Sequence, residues 1–401
     1  MIYRTKLILS ILLFVFSIAV YANDIQPTKE PVLIGLDGEF GYLGSTSAEA
    51  ISSGIQIAIN EINLAGGVLD GRPLKLVEKA NHSVPARSIH NIKKFAEYTD
   101  LVAIFCGRFS PTVLEALPTL KTAKIPLLNP WAAADAIVDN GSTPNYAFRL
   151  SLSDGWAMPT MIRYAESKGA KRLGMLLLNT SWGRGNLLTA ERYVENNPTL
   201  KIVHKHWFNW DDKSLLDKYE ALLQAGAEAV LLVSNADEAA ILIKEMVSLP
   251  PEKQLPIVAH WGVTGGVLPE MAGSALHKVD FSVVQTYSFI NAARPKSKTV
   301  VAAAQDIFNV SGARELPSPT GIAHAYDLTH ILALAINLAG STERLAIRDA
   351  LEQVINYDGL IKFYKQPFSP ENHDALSPED VFMAKYDNKD NAIVRIWPLI
   401  K

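Results

Sequence analysis

Short apolar runs alternate with longer amphipathic segments along most of the chain. The runs predict strands at residues 32–36, 74–77, 101–105, 125–128, 173–178, 229–233 and 257–259. Between them, apolar residues recur at helical spacing, which predicts helices at residues 51–62, 86–98, 111–122, 156–168, 185–195, 215–225 and 236–248. Near-continuous apolar strands separated by amphipathic helices are typical of parallel sheets covered on both faces. The pattern therefore predicts an α/β protein with parallel-dominated sheets.

The alternation stops in the C-terminal part of the chain. Three helices, a Pro-rich stretch and two strands are predicted there, at residues 297–308, 321–339, 342–355, 367–378, 381–386 and 392–397. The mature chain is longer than one hydrophobic core usually accommodates, so we expect two lobes.

The N-terminus has the pattern of a signal peptide. Two basic residues precede an apolar run over residues 7–20, and Val20-Tyr21-Ala22 forms a small-residue cleavage site. The run is shorter than the roughly 20 residues that span a bilayer. We therefore predict a signal peptide at residues 1–22 and a mature chain that begins at Asn23; a retained anchor is the alternative. No cysteine follows the run, which argues against a lipoprotein.

Charge and cysteine content narrow the range of partners. Residues 1–22 contain two of the 38 basic residues and none of the 41 acidic ones, so the mature chain has a formal net charge of −5. This mild acidity argues against nucleic acid as a partner. Cys106 is the only cysteine, so an intramolecular disulfide is impossible, and its place at the end of an apolar strand favours a buried structural role.

Motifs of common enzymes and cofactor sites are missing from the sequence. G-x-x-x-x-G-K-[ST], H-E-x-x-H, G-x-S-x-G and C-x-x-C do not occur, so we predict neither an enzyme nor a cofactor. The pair His204 and His206 is better explained as a chance alternation on a strand than as a metal site. Asp237 and Glu238 are expected to be solvated carboxylates at the start of a helix.

Residues 54–77, GIQIAINEINLAGGVLDGRPLKLV, carry a more specific signal. They resemble the opening of the type I periplasmic binding proteins, in the branched-chain amino acid and amide group that feeds ABC transporters. That group has "A-I-N-E-I-N-x-A-G-G-V" followed by "G-R-x-L-x-L-V". The family's "F-R-x-x-x-x-D" matches Phe148 to Asp154, and its "P-F-S-P-x-x-H" matches Pro367 to His373. We expect Asp154 to be the N-cap of the helix that follows it.

The resemblance implies two Rossmann-like lobes joined by a three-crossing hinge. Lobe 1 would comprise residues 24–149 and 286–365, and lobe 2 would comprise residues 150–285 and 366–401. It also implies a monomer in the periplasm of a Gram-negative bacterium that closes on a small molecule and presents it to an inner-membrane ABC permease. A sensory protein that docks a chemoreceptor or histidine kinase is the alternative, and a periplasmic enzyme is a third.

A general rule locates the ligand. In open α/β sheets, ligands lie beyond the carboxyl ends of strands, where loops meet helix N-termini. Ser110 follows one such strand as a candidate N-cap, with Pro111 in the first helical position. Three tryptophans also lie just beyond predicted strands, and each can wall a cleft or pack against its own lobe: Trp131, Trp182 and Trp261.

Matching the family's binding loops assigns further roles. The resemblance implies that Ser110 or Thr112 binds a ligand carboxylate, that the backbone of Trp131 contacts the ligand, and that Trp182 supplies the aromatic wall. Ala133 stands where the family usually has a threonine, and Asn235 stands at a contact position that is usually aromatic.

One departure from the family bears on the ligand itself. The family's "P-E-G-V" pairs an acid with the ligand ammonium, whereas this chain has His260-Trp261-Gly262-Val263. Burying an unpaired ammonium costs several kcal/mol, which disfavours an α-amino acid. Arg108 can supply a positive charge for a carboxylate or can point into solvent. We therefore predict a small carboxylate or amide with an apolar or aromatic body, with a betaine-like cation as the rival.

Overall fold

A computed structural model describes residues 29–290 and 292–398. The signal peptide predicted for residues 1–22 lies outside this part of the chain.

The first sheet is built from the N-terminal part of the chain. Its strands are β1 (Val32–Gly38), β2 (Leu74–Ala80), β3 (Leu101–Cys106), β4 (Leu127–Asn129) and β5 (Ala147–Arg149). The spatial order is β2-β1-β3-β4-β5, and every neighbouring pair is parallel. The connecting helices are α1 (Ser47–Leu64), α2 (Pro85–Ala96) and α3 (Ser110–Ala123). We call this sheet and the helices packed on it lobe 1.

The second sheet begins after the chain leaves β5. The middle of the chain contains the helices α4 (Asp154–Ser167), α5 (Ser181–Glu195), α6 (Leu216–Gln224), α7 (Ala236–Met246) and α8 (Leu268–Ala272). The strands between them are β6 (Arg172–Leu178), β7 (Lys201–Phe208), β8 (Ala229–Val233), β9 (Ile257–Ala259) and β10 (Phe281–Gln285).

The C-terminal part of the chain adds helices to lobe 1 and strands to the second sheet. Its helices are α9 (Lys296–Phe308), α10 (Pro319–Ala339) and α11 (Arg344–Leu351), and its strands are β11 (Tyr357–Asp358), β12 (Phe363–Tyr364), β13 (Phe382–Tyr386) and β14 (Ile393–Trp397). The second sheet has the order β14-β13-β10-β9-β8-β6-β7, and only the pairs that involve β13 are antiparallel. We call this sheet with its helices lobe 2. The predicted α/β fold with parallel-dominated sheets is confirmed.

Helix α1 shows how the sequence pattern becomes packing. The five apolar residues that the spacing predicts to share a face are all buried: Ile51, Ile55, Ala58, Ile59 and Ile62. The helix ends where Gly66 and Gly67 adopt φ values of 108° and 74°, a region in which a side chain would be strained. Its buried face packs against α10, which returns to lobe 1 from the far end of the chain.

Helices α1 and α10 approach each other closely at one glycine. A Cβ atom on Gly54 would lie 2.2 Å from the carbonyl oxygen of Ile322, so only glycine fits there. Among the described helices, α10 alone is long and apolar enough to cross a membrane by these two criteria. Burial against α1 accounts for that apolar character in this fold.

The N-caps of α3 and α4 are not the residues that the sequence predicts. Ser110 is the first residue of α3 rather than its N-cap, which is Phe109; the Ser110 hydroxyl accepts a hydrogen bond from the amide of Ala134 instead (3.2 Å). Asp154 is the first residue of α4, and Ser153 caps that helix. In both cases the predicted capping side chain bonds a partner that is remote in sequence.

The apolar runs did not predict five of the described strands, namely β5, β7, β10, β11 and β12. β5 has only three residues and β11 and β12 have two each, whereas β7 is a half-exposed edge strand that includes His204 and His206. β10 is buried but includes Ser282 and Gln285, which interrupt its apolar pattern. A run of apolar residues detects strands buried on both faces and misses short, edge or polar ones.

Candidate functional site

A cavity lies between the two lobes, at the carboxyl ends of strands from both sheets. It is narrow in this arrangement of the lobes, and we call it the cleft cavity. Lobe 1 and lobe 2 both contribute to its lining, which consists of Arg108, Phe109, Ser110, Pro111, Trp131, Ala133, Leu178, Thr180, Trp182, Trp210, Asn235, Trp261 and Gly262. This is the position at which open α/β sheets bind ligands.

Seven of the eight residues proposed from the sequence line this cavity: Arg108, Ser110, Trp131, Ala133, Trp182, Asn235 and Trp261. Thr112 lies outside it, and its hydroxyl donates a hydrogen bond to the carbonyl of Ser83 within lobe 1 (3.2 Å). Phe109 and Trp210 are lining residues that the sequence reasoning missed. Trp210 follows β7, a half-exposed strand that no apolar run marks, so the rule that located the other loops does not find this one.

Two tryptophans meet where the lobes face each other. The ring centroids of Trp131 from lobe 1 and Trp261 from lobe 2 are 5.3 Å apart, with the planes tilted by 36°. Each residue is 1% exposed. These two rings therefore contact each other across the lobes instead of packing only within their own lobe, and they give the cleft cavity an apolar, aromatic wall.

Arg108 is buried in the cleft, not exposed to solvent. Its guanidinium lies over the ring of Phe109, with 4.6 Å between the guanidinium carbon and the ring centroid. Nη1 donates to the carbonyl oxygen of Gly262 in lobe 2 (3.3 Å). Burial lowers the pKa of Arg108 from its ordinary value, but a guanidinium retains its charge in proteins. Arg108 thus places a cation between the lobes.

The carboxylate of Glu39 in lobe 1 partly balances the charge of Arg108. One of its oxygens lies 4.0 Å from Nε of Arg108, and the other accepts a hydrogen bond from the Arg108 amide (3.3 Å). The hydroxyls of Ser45 and Ser47 also donate to Glu39. The Glu39 carboxylate is therefore already engaged within lobe 1.

Arg149 fixes the loop that carries Trp131. Nη1 donates to the carbonyl oxygens of Ala133 and Ala134 at 3.2 and 3.1 Å. Nε and Nη2 form a fork to the two carboxylate oxygens of Asp374 at 2.5 and 3.0 Å. Arg149 lies at the end of β5, where the chain passes from lobe 1 to lobe 2, and Asp374 lies on the segment before β13, where it passes to lobe 2 again. The Arg149 side chain therefore connects both of these segments to the loop that carries Trp131.

His324 supports the two tryptophans from α10. Its Nδ1 lies 2.8 Å from the carbonyl oxygen of Pro130, and its Nε2 lies 3.0 Å from the hydroxyl of Thr286. A carbonyl oxygen can only accept, so Nδ1 carries the proton and Nε2 accepts from Thr286. Burial lowers the pKa of His324 to about 4, which keeps the ring neutral at physiological pH. The ring centroid is 5.8 Å from that of Trp261.

Asp154 and His260 hold Trp182 in lobe 2. The indole N–H of Trp182 donates to Oδ1 of Asp154 (3.1 Å), and Nε2 of His260 lies 2.9 Å from the same oxygen. The His260 ring meets that of Trp182 edge-on at 4.9 Å between centroids. The N-cap role expected for Asp154 is replaced by this contact with the cleft wall.

Glu238 corrects a second expectation. The sequence suggests a solvated carboxylate, but the side chain in the first turn of α7 is buried, with 3% of its surface exposed. Burial raises the pKa of Glu238 to about 7, and the neighbouring charge of Asp237 acts in the same direction. Packing of this helix start under the cleft removes the solvent that the sequence pattern implied.

This pKa shift predicts a pH dependence of stability. The folded state binds the Glu238 proton more tightly than the unfolded state does, so this stabilisation is present below pH 4.5 and is lost as the pH rises to about 7. We expect Glu238→Gln to remove up to about 3 kcal/mol of this dependence. Urea unfolding between pH 4.5 and 8 measures it, with the exposed Glu195→Gln as control. Parallel pH profiles for the wild type and Glu238→Gln would contradict the assignment.

The chain matches known proteins over most of its length. A family model described as "Periplasmic binding protein" matches residues 31–391. A type 1 periplasmic binding protein from Bordetella pertussis is 21% identical, with a TM-score of 0.80, and the match covers 92% of this chain and 100% of that one. No curated protein sequence matches the chain.

Two further solved structures were found with different ligands. The branched-chain amino acid transporter substrate-binding protein LivJ from Streptococcus pneumoniae, in complex with isoleucine, is 21% identical with a TM-score of 0.76, over 92% of this chain and 100% of that one. A solute-binding protein from R. palustris in complex with 4-hydroxybenzoate is 15% identical with a TM-score of 0.74, over 92% and 96%. At these identities the likeness establishes the fold. With the family model spanning nearly all of the described residues, the chain belongs to the periplasmic binding protein family.

Proposed function

We propose that this protein captures a small organic solute between its two lobes in the periplasm and presents it to an inner-membrane ABC permease. The observation that carries the proposal is the cleft cavity, which residues of both lobes line at the carboxyl ends of their strands. The family consists of solute-binding proteins, and several solved structures of this fold are named as ABC transporter components.

The charges of the lining favour an anionic or neutral ligand. Arg108 is the one charged side chain among the described lining residues of the cleft cavity, and none of these residues is a carboxylate. Of the buried acids in the two lobes near the cleft, Glu39 bonds the Arg108 amide and two serines and Oδ1 of Asp154 accepts from Trp182, and neither these nor Glu238 line the cleft cavity. A ligand ammonium would therefore lack an ion-pair partner, and the same holds for a betaine-like cation.

The shape of the lining favours an apolar or aromatic body. Trp131, Trp182 and Trp261 present ring surfaces to the cavity, and Ala133 leaves room where a longer side chain would intrude. We propose that Arg108 and the start of α3 at Ser110 bind a carboxylate or amide group, while the tryptophans enclose the rest. Structures of this fold are known with benzoate and 4-hydroxybenzoate bound, which suits such a slot.

The lobes are in contact in the structure, as a closed form requires. The amide of Thr46 donates to the carbonyl of Gly265 in lobe 2 (3.0 Å), and the hydroxyl of Ser318 donates to the carbonyl of Thr264 (3.1 Å). The chain passes between the two sheets after β5, after β10 and before β13. We propose that these three crossings form the hinge, with the lobe boundaries expected from the sequence, and that the lobes separate to admit the ligand.

Ligand-induced closure gives this proposal its test. We expect aromatic and aliphatic monocarboxylates or their amides to raise the melting temperature, because a ligand that binds only the folded state stabilises it. For the most effective compound, small-angle scattering is expected to show a smaller radius of gyration at saturation. An unchanged radius of gyration for a compound that binds would contradict closure of the lobes.

A further inference from the structure

A short turn of lobe 2 accepts hydrogen bonds from three separate segments of lobe 1. Directly after β9, residues 261–265 form a 3-10 helix. The last carbonyl oxygens of a helix have no partners inside it, so they need water or another part of the protein as a donor. We call residues 261–266 the latch turn.

Two side chains of lobe 1 donate to the latch turn. Nη1 of Arg108, in the loop after β3, donates to the carbonyl oxygen of Gly262 (3.3 Å). The hydroxyl of Ser318, directly before α10, donates to the carbonyl oxygen of Thr264 (3.1 Å). These donors lie 210 residues apart in the sequence and meet on one turn only when the lobes are together.

The backbone of lobe 1 reaches the same turn. The amide of Thr46, directly before α1, donates to the carbonyl oxygen of Gly265 (3.0 Å), and the neighbouring Ser45 forms an antiparallel β-bridge with Gly266. A Cβ atom on Gly266 would lie 2.6 Å from the carbonyl oxygen of Gly44. Glycine at this end of the turn therefore allows the two backbones to approach.

Gly265 makes room for the guanidinium of Arg108. A Cβ atom at Gly265 would lie 2.4 Å from Nη1 and 2.8 Å from Cδ of Arg108, and the three atoms nearest to it all belong to that side chain. Gly265 lies inside the 3-10 helix, a backbone conformation that any residue can adopt. The approach of lobe 1, and not the conformation of the turn, thus requires glycine here.

We propose that the latch turn holds the lobes closed through its own hydrogen bonds to lobe 1, so that the ligand-free protein already populates the closed form. Each contact joins two groups of the protein itself, and each contributes a factor of roughly two to ten to the ratio of closed to open molecules. A ligand then completes an equilibrium that the latch turn has begun. This inference goes beyond the proposed function, because it does not depend on which solute binds.

Single-molecule fluorescence energy transfer between the lobes tests the latch turn without any solute. Dyes are attached at Arg87→Cys on lobe 1 and Lys213→Cys on lobe 2, because both residues are exposed and the natural Cys106 is buried. The protein is purified in denaturant and refolded, which removes solute carried over from the cell. We expect two populations, with the closed one comprising at least about a tenth of the wild-type molecules.

Gly265→Ala is the decisive variant. We expect it to lower the ratio of closed to open molecules by at least about tenfold, because the added methyl group displaces Arg108 and its charged hydrogen bond is lost. Gly185→Ala, on α5 of lobe 2, is the matched control, since a Cβ atom there meets nothing within 4 Å, and it is expected to leave the ratio unchanged.

Two further variants separate the latch from a general disturbance of lobe 2. Ser318→Ala removes the donor to Thr264 from the lobe 1 side, and we expect it to lower the ratio by about two- to tenfold. In an Arg108→Ala background, Gly265→Ala is expected to have no further effect, because its methyl group then has nothing to displace.

Three results would each overturn the latch. The first is a wild-type protein without a closed population, and the second is a ratio for Gly265→Ala equal to that of Gly185→Ala. The third is an effect of Gly265→Ala that is just as large in the Arg108→Ala background. If Gly265→Ala does not fold, an unchanged ratio in Ser318→Ala overturns the latch instead. Capture of a solute would still stand in every case, because none of these measurements includes one.

Discussion

Replacing Asp327 by asparagine is expected to lower the free energy of unfolding by about 3 kcal/mol. The carboxylate is fully buried on α10, and each of its oxygens accepts two hydrogen bonds. Oδ1 accepts from the hydroxyl of Tyr357 (3.0 Å) and the amide of Leu360 (2.6 Å), and Oδ2 accepts from the amide of Ile361 and the hydroxyl of Tyr364 (both 2.9 Å). An asparagine would turn an NH₂ donor toward two of these donors.

Urea unfolding at neutral pH measures this effect. Asp306→Asn is the matched control, because Asp306 is exposed on the neighbouring helix α9, and we expect it to change stability by less than about 0.5 kcal/mol. A loss below about 1 kcal/mol for Asp327→Asn would show that the four hydrogen bonds contribute little. The result matters for the site, since the same helix carries His324, which supports Trp131 and Trp261.

The second large effect concerns ligand binding at Trp261. We expect Trp261→Ala to weaken binding of the preferred ligand by at least about a hundredfold, as is common for a buried aromatic at the centre of an interface. The substitution removes the lobe 2 half of the contact with Trp131 and opens the cleft cavity toward His324. Trp261→Phe is expected to retain part of the affinity, because it keeps an aromatic face.

Calorimetric titration measures the loss, at a temperature where each variant is folded by circular dichroism. Trp397→Ala is the control for removal of a tryptophan, because Trp397 lies on the last strand of lobe 2 and packs against Tyr164, away from the cleft cavity. Equal affinities for the wild type and Trp261→Ala would remove this residue from the binding site.

Most helices and buried strands could be predicted from the sequence because their signals are local. Buried parallel strands such as β3 and β8 are continuous apolar runs, and the spacing of Ile51, Ile55 and Ile59 marks the buried face of α1. Of the strands that the apolar runs missed, β5, β11 and β12 are short, β7 is half-exposed, and β10 is interrupted by polar residues. Resemblance to the family, now supported by the family model, supplied the connectivity that periodicity does not carry.

The candidate site was only partly predictable for a different reason. The loops after the strands can be found from the strands themselves, which brings Ser110, Trp131 and Trp261 to one place. The residues that hold those loops depend on partners far away in sequence. His324 bonds a carbonyl 194 residues away, and Arg149 pairs with Asp374 across 225 residues. Burial of Glu238 likewise depends on tertiary packing that no local pattern encodes.

The most direct test of the central claim is a comparison of ligand selectivity by tryptophan fluorescence. The mature protein and Trp261→Ala are titrated with benzoate, with octanoate and with leucine, isoleucine and valine. We predict that a monocarboxylate binds more tightly than the three amino acids, because the cleft cavity offers Arg108 and four tryptophans but no carboxylate for an ammonium. Tight binding of a branched-chain amino acid that is undiminished in Trp261→Ala would contradict this account.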